Sequence, residues 1–528
     1  RGTSTRHGRA EQRPRCCLFC SSGTIDINDE TEEELARIRA RARFPDTTRL
    51  EQNDITVVTK YACGAVGENS ASITPIIQRR ALRQHGFSVN ERCSIRNSLL
   101  PNKQEIIHDY GSKVFCGSYS KDGEYFITAT QGTAGDTDKW LHVYRSNNGN
   151  FVLYNRMLAH DVGWSVLDVA FSPNGEHFAY SSWADCLYQC HMSRHSLETL
   201  QLMPGARRFC VFSVAFSSDG AEILGGANDR CIYMYDLDRH ERVLKFLGHD
   251  EDVNCIAYAD DSSQIFYSAS DDGLVKVWDK RRLNPANPRE VGVLAGHRDG
   301  ITYIDSRGDT RYLITNSKDQ CIKLWDARMC SDYRTQQNAR QQMEHRYWDY
   351  RWQPVPQRFC ERGFIDGDTS VMTYYGHSVR KTLIRCHFSP PHNTGQRYIY
   401  TGDSSGCLVI YDLLTGRIKR RIKGHVGCVR DVSWHPFNHN IITSSWDGTI
   451  AKWEYSENAN ENDDQRDQQD ERDQQDQRDR RDQRDQRDRR DQRDRRDQRD
   501  QRDQRDQRPL RRSERLRAQR RARMPDIM

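Results

Sequence analysis

The sequence predicts an all-β fold, a seven-bladed β-propeller with an extension in front of it and a low-complexity tail behind it. A self-similar pattern recurs about every forty residues, which is the length of one four-stranded blade. The pattern is complete in residues 248–290 and 296–330 and degenerate elsewhere. Hydrophobic residues make up only 36% of the 528 residues, so a large part of the chain is expected to lie outside a packed core.

The complete repeats end in a Trp-Asp pair, which is typical of WD repeats. In each, a His before the first strand, a Ser or Thr on the second, an Asp in the next turn and the Trp on the third can form one buried hydrogen-bond chain. We predict a structural and not a catalytic role for these sets. They are His249, Ser268, Asp272 and Trp278; His297, Thr315, Asp319 and Trp325; and, in the last repeat, His425, Thr443, Asp447 and Trp453.

The other repeats are degenerate and lack the Trp-Asp ending but align at the same offsets, at about 111–150, 158–195, 207–242, 376–418 and 424–456. A ring avoids an open edge when one strand comes from the other end of the chain, and Lys103 to Asp109 is the predicted donor. The propeller is therefore expected over 101–456. An insertion at about 331–371, between blades five and six, contains Tyr347, Trp348, Tyr350 and Trp352. These aromatics either pack against the side of a blade or form a binding platform.

The two ends differ from the ring. Residues 1–100 hold two helix candidates, one beginning at Thr31 with Glu34 in a capping box and one running from about 74 to 82. Each is either a docking helix or a marginal local helix. Residues 457–528 are dominated by a repeat of Arg, Asp and Gln that cannot bury a core, and we expect them to be disordered. The arginine-rich end of this tail is either a nucleic-acid contact or a solvated tail.

Composition and motifs exclude several function classes. Basic and acidic residues nearly balance, 80 against 75, so no global field favours a membrane or a nucleic acid. Cys17 and Cys20 have no second pair at a zinc-site spacing, and no nucleotide-binding or hydrolase motif is present. We expect no metal, no cofactor and no enzymatic activity. The 17 scattered cysteines indicate a reducing compartment, nuclear or cytoplasmic. The chain begins with Arg1, so either its start is missing or it was processed.

An arginine follows the Trp-Asp pair in both complete repeats, as Trp278-Asp279-Lys280-Arg281 and Trp325-Asp326-Ala327-Arg328. Both turns follow the third strand of neighbouring blades and so should share one face of the ring. Each aspartate can hold its guanidinium while the planar fork still faces a partner. The alternative is a local salt bridge of about 0–1 kcal/mol. Two such motifs on consecutive blades favour an interface.

With these motifs the chain resembles the WD-repeat substrate receptors of cullin-4 RING ubiquitin ligases, in particular the WD-repeat protein twenty-three or LEC14B-like branch. The resemblance covers about 99–456 and rests on stretches such as 161–171, 224–229, 348–352 and 429–436. It implies docking on the ligase's triple-propeller adaptor, and through it on cullin-4 and the RING subunit, by the arginines and an N-terminal helical segment. It also implies a protein substrate, with stress-response transcription factors as the suggested class.

The resemblance further implies a substrate surface on the face opposite the arginines. Aligned rim positions there predict contacts from Phe115, Leu167, Phe212, Asp252, Asn254, Thr302, Ile384 and Arg430, with Asp252 or Arg430 setting a charge preference. The N-terminal region or the insertion could instead cover this patch. The competing function is a WD-repeat scaffold for a chromatin or RNA-processing complex. Nothing in the residues selects a particular substrate.

Overall fold

The computed structural model of the protein describes residues 32–65, 73–83, 86–131, 139–147, 149–194, 196–203, 209–344, 348–361 and 363–457. All of these except Glu457 belong to one compact unit that ends at Ser456. Thr31, the Cys17 and Cys20 pair, Tyr347 and the Arg/Asp/Gln tail lie outside the described residues, so the predictions made for them stay predictions. Within the described ranges, no helix is both long and apolar enough to cross a membrane.

Seven four-stranded antiparallel sheets form the body of the molecule, which confirms the predicted seven-bladed propeller. The strands are β1 Lys103–Asp109, β2 Val114–Tyr119, β3 Tyr125–Thr130, β4 Trp140–Asn147, β5 Asn150–Leu158, β6 Val166–Phe171, β7 His177–Ser182, β8 Cys186–His191, β9 Leu197–Gln201, β10 Val211–Phe216, β11 Glu222–Ala227, β12 Cys231–Asp236, β13 Glu241–Leu247, β14 Val253–Tyr258, β15 Ile265–Ser270, β16 Leu274–Asp279, β17 Gly292–Ala295, β18 Ile301–Ser306, β19 Tyr312–Ser317, β20 Cys321–Asp326, β21 Met372–Tyr375, β22 Cys386–Phe388, β23 Tyr398–Gly402, β24 Cys407–Asp412, β25 Ile418–Lys423, β26 Val429–Trp434, β27 Ile441–Ser445 and β28 Thr449–Glu454.

Blade seven is completed from the other end of the propeller, as predicted. Strand β1 pairs antiparallel with β28, so that Lys103 lies opposite Glu454 and Asp109 opposite Thr449. The sheet order is β1-β28-β27-β26. The backbone groups at the outer edge of β28 are thereby paired, and the ring is closed by hydrogen bonds between two ends of the chain.

The first strands of the blades, β2, β6, β10, β14, β18, β22 and β26, contact one another in turn and line the centre of the ring. The upper face is defined here as the end with the loops before these first strands and the turns between second and third strands. The lower face carries the turns between first and second and between third and fourth strands. Because strands alternate in direction, Arg281 and Arg328, which follow β16 and β20, both lie on the lower face.

The N-terminal extension passes from the upper to the lower face beside blades five and six. Its helices are α1 Glu32–Ala40, α2 Thr48–Glu51, α3 Asp54–Ala62, α4 Ile73–Arg83 and α5 Val89–Arg96. On the upper face, the Glu34 carboxylate of α1 accepts a 2.6 Å hydrogen bond from the N–H of Val355. Leu50 is buried in the core shared by blades five and six. On the lower face, α5 contacts the short helix α8 (Pro391–Thr394) of blade six.

The insertion lies inside blade five and not between two blades. It joins β20 to β21, the third and fourth strands of one sheet, and contains helices α6 Tyr333–Glu344 and α7 Gln357–Cys360. The predicted boundary between blades five and six is corrected, because a WD repeat begins with the outer strand of the preceding blade. Ala339 of α6 packs against Val293 and Ala295 of β17, so this helix supports the side of blade four. Residues 348–361 continue onto the upper face.

Candidate protein-interaction surfaces

Three blades contain the hydrogen-bond chain that the sequence indicates. In blade five, the indole N–H of Trp325 donates to Thr315 Oγ1 at 2.8 Å, and that hydroxyl lies 2.7 Å from His297 Nε2. His297 Nδ1 lies 3.1 Å from Asp319 Oδ2. Blades four and seven repeat the arrangement through the predicted residues His249, Ser268, Asp272 and Trp278, and His425, Thr443, Asp447 and Trp453.

These aspartates stay ionised because their partners offset the cost of burial. Burial alone would raise the pKa of Asp319. The electrostatic attraction of His297 and the hydrogen bond with it outweigh burial and hold the pKa well below its usual range. The same balance lowers the pKa of Asp272 and of Asp447. The chain of bonds ties the loop before a blade to its second and third strands, which is a scaffold role.

A possible metal-ligand set, His297, Asp319 and Cys321, coincides with the blade-five chain. Their ligand atoms lie within 4.8 Å of one another and all three residues are buried. The Cys321 thiol donates to Asp319 Oδ1 at 2.9 Å, and the other oxygen of Asp319 faces His297. The donor atoms are thus engaged with one another and with the tryptophan network.

Blade six departs from the pattern. His377 Nδ1 faces the Tyr411 hydroxyl at 2.9 Å, and its Nε2 faces Asn316 Oδ1 of blade five at 2.8 Å. In this blade, where Tyr411 stands in place of the Trp, the histidine therefore also faces the neighbouring blade. Burial lowers the pKa of His377 to about 4, so the ring is neutral at physiological pH.

Arg281 and Arg328 are each held by the aspartate of their own motif on the lower face. Arg281 donates from Nε to Asp279 Oδ1 at 2.9 Å and from Nη2 to Oδ2 at 2.8 Å. Arg328 makes the matching pair of bonds to Asp326, at 3.2 and 3.1 Å. The two arginine side chains remain 64% and 62% exposed. A guanidinium has more N–H donors than this fork uses, so each can also bond a partner.

Helix α3 lies beside Arg328. Its Asn53 cap accepts from the N–H of Ile55 at 3.1 Å and from the hydroxyl of Tyr312 at 2.6 Å. Asp54 lies 2.8 Å from Arg311 and 3.9 Å from Arg328. Sequence reasoning missed this helix because its run of β-branched residues, Ile55 to Thr59, has low helix propensity. The signal was the Asn-Asp cap before that run.

One side of α3 packs on the propeller and the other is exposed. Ile55 is fully buried in the core of blades five and six. Val57, Val58 and Tyr61 are 69%, 49% and 68% exposed. An apolar helical surface next to an exposed arginine is an unusual feature for a solvated surface and is typical of a protein contact. The predicted helices α1 and α4 are present, but α3 is the one that adjoins the arginines.

The predicted substrate-contact residues lie at the upper end of the central channel, but most of their side chains are turned inward. Only Phe212 and Asp252 of the eight are partly exposed. The buried ones are Phe115, Leu167, Asn254, Thr302, Ile384 and Arg430. Arg430 donates to the main-chain carbonyls of Phe115 and, at 3.0 Å, Leu167. The prediction that Arg430 sets a charge preference is therefore corrected: it links blades seven, one and two.

An ionic network deeper in the channel was also missed. Arg385 of blade six donates to Asp168 of blade two at 2.7 Å and to Asp431 of blade seven at 3.0 Å. Burial lowers the pKa of the nearby His387, but the carboxylates of Asp305 and Asp431, 3.9 and 3.8 Å from its ring nitrogens, outweigh it and raise that pKa to about 9. When the first strands of the blades are aligned, one position holds Asp168, Arg385 and Asp431. Opposite charges at one aligned position were the sequence signal that could have revealed this network.

Comparison with known proteins agrees with this architecture. The model of the WD domain, G-beta repeat matches residues 198–236, 240–279, 288–326 and 416–454. The chain is 38% identical over 412 residues to a "DDB1- and CUL4-associated factor 11 homolog" of Caenorhabditis elegans, covering 75% of this chain and 70% of that protein. The Caenorhabditis briggsae homolog is 36% identical over 449 residues, covering 81% and 79%.

A plant protein is similar over the same region. The LEC14B protein of Lithospermum erythrorhizon is 39% identical over 386 residues, covering 70% of this chain and 79% of that protein. The chain therefore belongs to the WD-repeat family that contains the DDB1- and CUL4-associated factor 11 homologs and the LEC14B proteins, as the sequence motifs indicate.

Proposed function

We propose that this protein is a non-catalytic substrate-recognition subunit of a cullin-4 RING ubiquitin ligase. The names of its nematode relatives connect them with DDB1 and CUL4. The observation that carries the proposal is the pair of aspartate-held, exposed arginines at the same face of neighbouring blades, with the apolar side of α3 beside one of them. The proposed partner of this lower face is DDB1, and through it CUL4.

Two kinds of contact would contribute to docking on the adaptor. The guanidinium forks of Arg281 and Arg328 can bond carboxylates or carbonyls of the adaptor, with their geometry already set by Asp279 and Asp326. The exposed side of α3 supplies apolar area that docking removes from water. Asp54 also orders the arginine cluster, because it faces both Arg311 and Arg328.

Held in this way, a receptor accelerates ubiquitination without chemistry of its own. It keeps a bound substrate near the ligase's ubiquitin-loaded enzyme, so that transfer to a lysine becomes effectively intramolecular. The substrate would occupy the upper face, opposite the adaptor.

The deciding experiment is co-purification of DDB1 with the full chain carrying Arg281→Asp and Arg328→Asp. We expect loss of DDB1 with an unchanged thermal unfolding midpoint, because both side chains are largely exposed. The matched control is Arg194→Asp, an exposed arginine in the corresponding turn of blade two that is not part of a Trp-Asp motif. Undiminished DDB1 recovery with the double variant would refute the docking surface. Tyr61→Asp tests the contribution of α3 separately.

A further inference from the structure

A row of five aromatic side chains crosses the upper face from blade three to blade seven. Trp183 lies 6.0 Å from Phe212 and 5.9 Å from Trp164, between ring centroids. Phe115 lies 5.1 Å from Trp164 and 5.5 Å from Trp446. We call this row the aromatic arc. Phe115 is the buried member of the arc, and the other four side chains are partly exposed.

The arc is not part of a blade core. Trp164 lies in the loop before β6, and Trp183 and Trp446 lie in turns between second and third strands. Turns of this kind are ordinarily filled by polar residues and glycine. Binding hot spots are enriched in tryptophan near the centre of an interface, and partly exposed tryptophans that contact one another at the centre of a face are typical of them.

The neighbouring part of the upper face is already occupied by the chain itself. Over blades five and six, the ring of Tyr350 lies 4.3 Å from the Lys318 ammonium. The main-chain carbonyl of Tyr350 accepts a 3.0 Å hydrogen bond from the N–H of Lys381. Ile38 of α1 packs against Val355 and Phe359 of the insertion. Residues 348–361 with α1 therefore form a wall, and the arc runs along the side of the face that this wall does not cover.

The two ends of the arc differ in charge. At the blade-seven end, the Lys113 ammonium lies 4.3 Å over the ring of Trp446. Burial, and to a smaller degree the charge of Lys381, lower the pKa of Lys113. Past Phe212, blade four presents Glu251 and Asp252. Burial, then the charges of Asp271 and Glu251, raise the pKa of Asp252 to about 7, although Lys318 and Arg230 act in the opposite direction. A cation from a partner would stabilise the ionised carboxylate of Asp252.

We propose that the aromatic arc binds an extended peptide with apolar anchor residues, an acidic residue on the side of Lys113 and a basic residue on the side of Asp252. This deepens the proposed receptor function, on which it rests, by assigning the class of segment that a substrate presents. Charge complementarity selects this occupant: a peptide with the opposite polarity places like charges at both ends.

The test begins with selection of random linear peptides, displayed on phage, on the immobilised full chain. We expect a consensus with apolar anchors between an acidic and a basic residue. The consensus peptide, labelled for fluorescence polarisation, should bind the Trp183→Ala variant at least about tenfold more weakly than wild type. The control is Trp352→Ala, an exposed tryptophan of the insertion outside the arc, which should bind as wild type does.

Charge reversal provides a second readout that leaves the aromatic side chains in place. Lys113→Glu should weaken the consensus peptide but not a version with its acidic residue replaced by glutamine. Absence of any enriched peptide, a consensus without this polarity, or equal binding by wild type and Trp183→Ala would overturn the proposal. DDB1 co-purification separates the two proposals. DDB1 should still co-purify with Trp183→Ala. The double variant Arg281→Asp with Arg328→Asp should lose DDB1 but still bind the peptide.

Discussion

Replacement of Arg385 by methionine would remove the cation shared by two buried carboxylates in the central channel. Arg385 bonds Asp168 at 2.7 Å and Asp431 at 3.0 Å, and the three side chains are 7%, 7% and 2% exposed. Removing one partner of a buried ion pair costs about 3–5 kcal/mol, against about 0–1 kcal/mol for an exposed pair. Because His387 still faces Asp431, we expect a loss near the lower limit, about 3 kcal/mol.

The measurement is equilibrium urea unfolding of the full chain followed by tryptophan fluorescence. The matched control is Arg239→Met, whose partner Asp236 lies 3.5 Å away and whose side chain is 69% exposed. That change should cost at most about 1 kcal/mol. The contrast between the two variants isolates the effect of burial, because both remove one arginine from an ion pair.

The predicted loss depends on pH with a definite sign. Burial alone would raise the pKa of Asp431, but Arg385 and then His387 outweigh it and keep it below its usual value. Asp431 therefore contributes stability that is present above its unfolded-state pKa and lost as the pH falls through its folded-state pKa. Without Arg385 that contribution shrinks, so the deficit is full above about pH 4 and decreases as the pH falls below that value. A deficit below about 1 kcal/mol at pH 8, or one independent of pH, would refute the reasoning.

Thr315→Val should lower the free energy of unfolding by about 1–3 kcal/mol in urea, because it leaves the buried indole N–H of Trp325 without an acceptor. The lowered pKa of Asp319 predicts stability that is complete above about pH 4 and lost below it, and Asp319→Asn should flatten this part of a fluorescence pH titration. Gly395→Ala should speed hydrogen exchange in α3, because φ is 65° and an added Cβ would lie 2.6 Å from the Ala62 carbonyl carbon. Ile38→Ala should speed proteolysis within 348–361, and unchanged cleavage would contradict the packing of α1 on the insertion.

Local patterns predicted the fold well because each blade is specified by short-range features. The His, Ser or Thr, Asp and Trp offsets marked blades four, five and seven, and the strand Lys103–Asp109 was assigned correctly as the closing strand. The predicted position of the insertion was wrong by one strand, because the insertion precedes the fourth strand of blade five and does not follow it. A repeat in sequence starts with the outer strand of the previous blade, and periodicity alone does not show which sheet that strand joins.

The surfaces were predicted less completely, for physical reasons. Helix α3 has a strand-like composition and is helical because Ile55 and Thr59 are buried against the propeller, which no local propensity records. Alignment of the blades places Arg430 at a rim position, where a charged side chain is expected to face a partner. In the structure its side chain instead donates to main-chain carbonyls of two other blades.

The sequence by itself determined the number of blades, the buried hydrogen-bond chains and the two arginines on one face, because these depend on spacing within about forty residues. It also indicated the closing strand, because a ring of blades leaves one open edge that a strand from the other end of the propeller must cover. Only the tertiary structure decided which residues meet across the ring. It united Arg385 with Asp168 and Asp431, placed Asp54 beside Arg328 and assembled the aromatic arc from separate blades. Such contacts join residues far apart in the chain, and their energy comes from burial and charge neutralisation that exist only after the ring has closed.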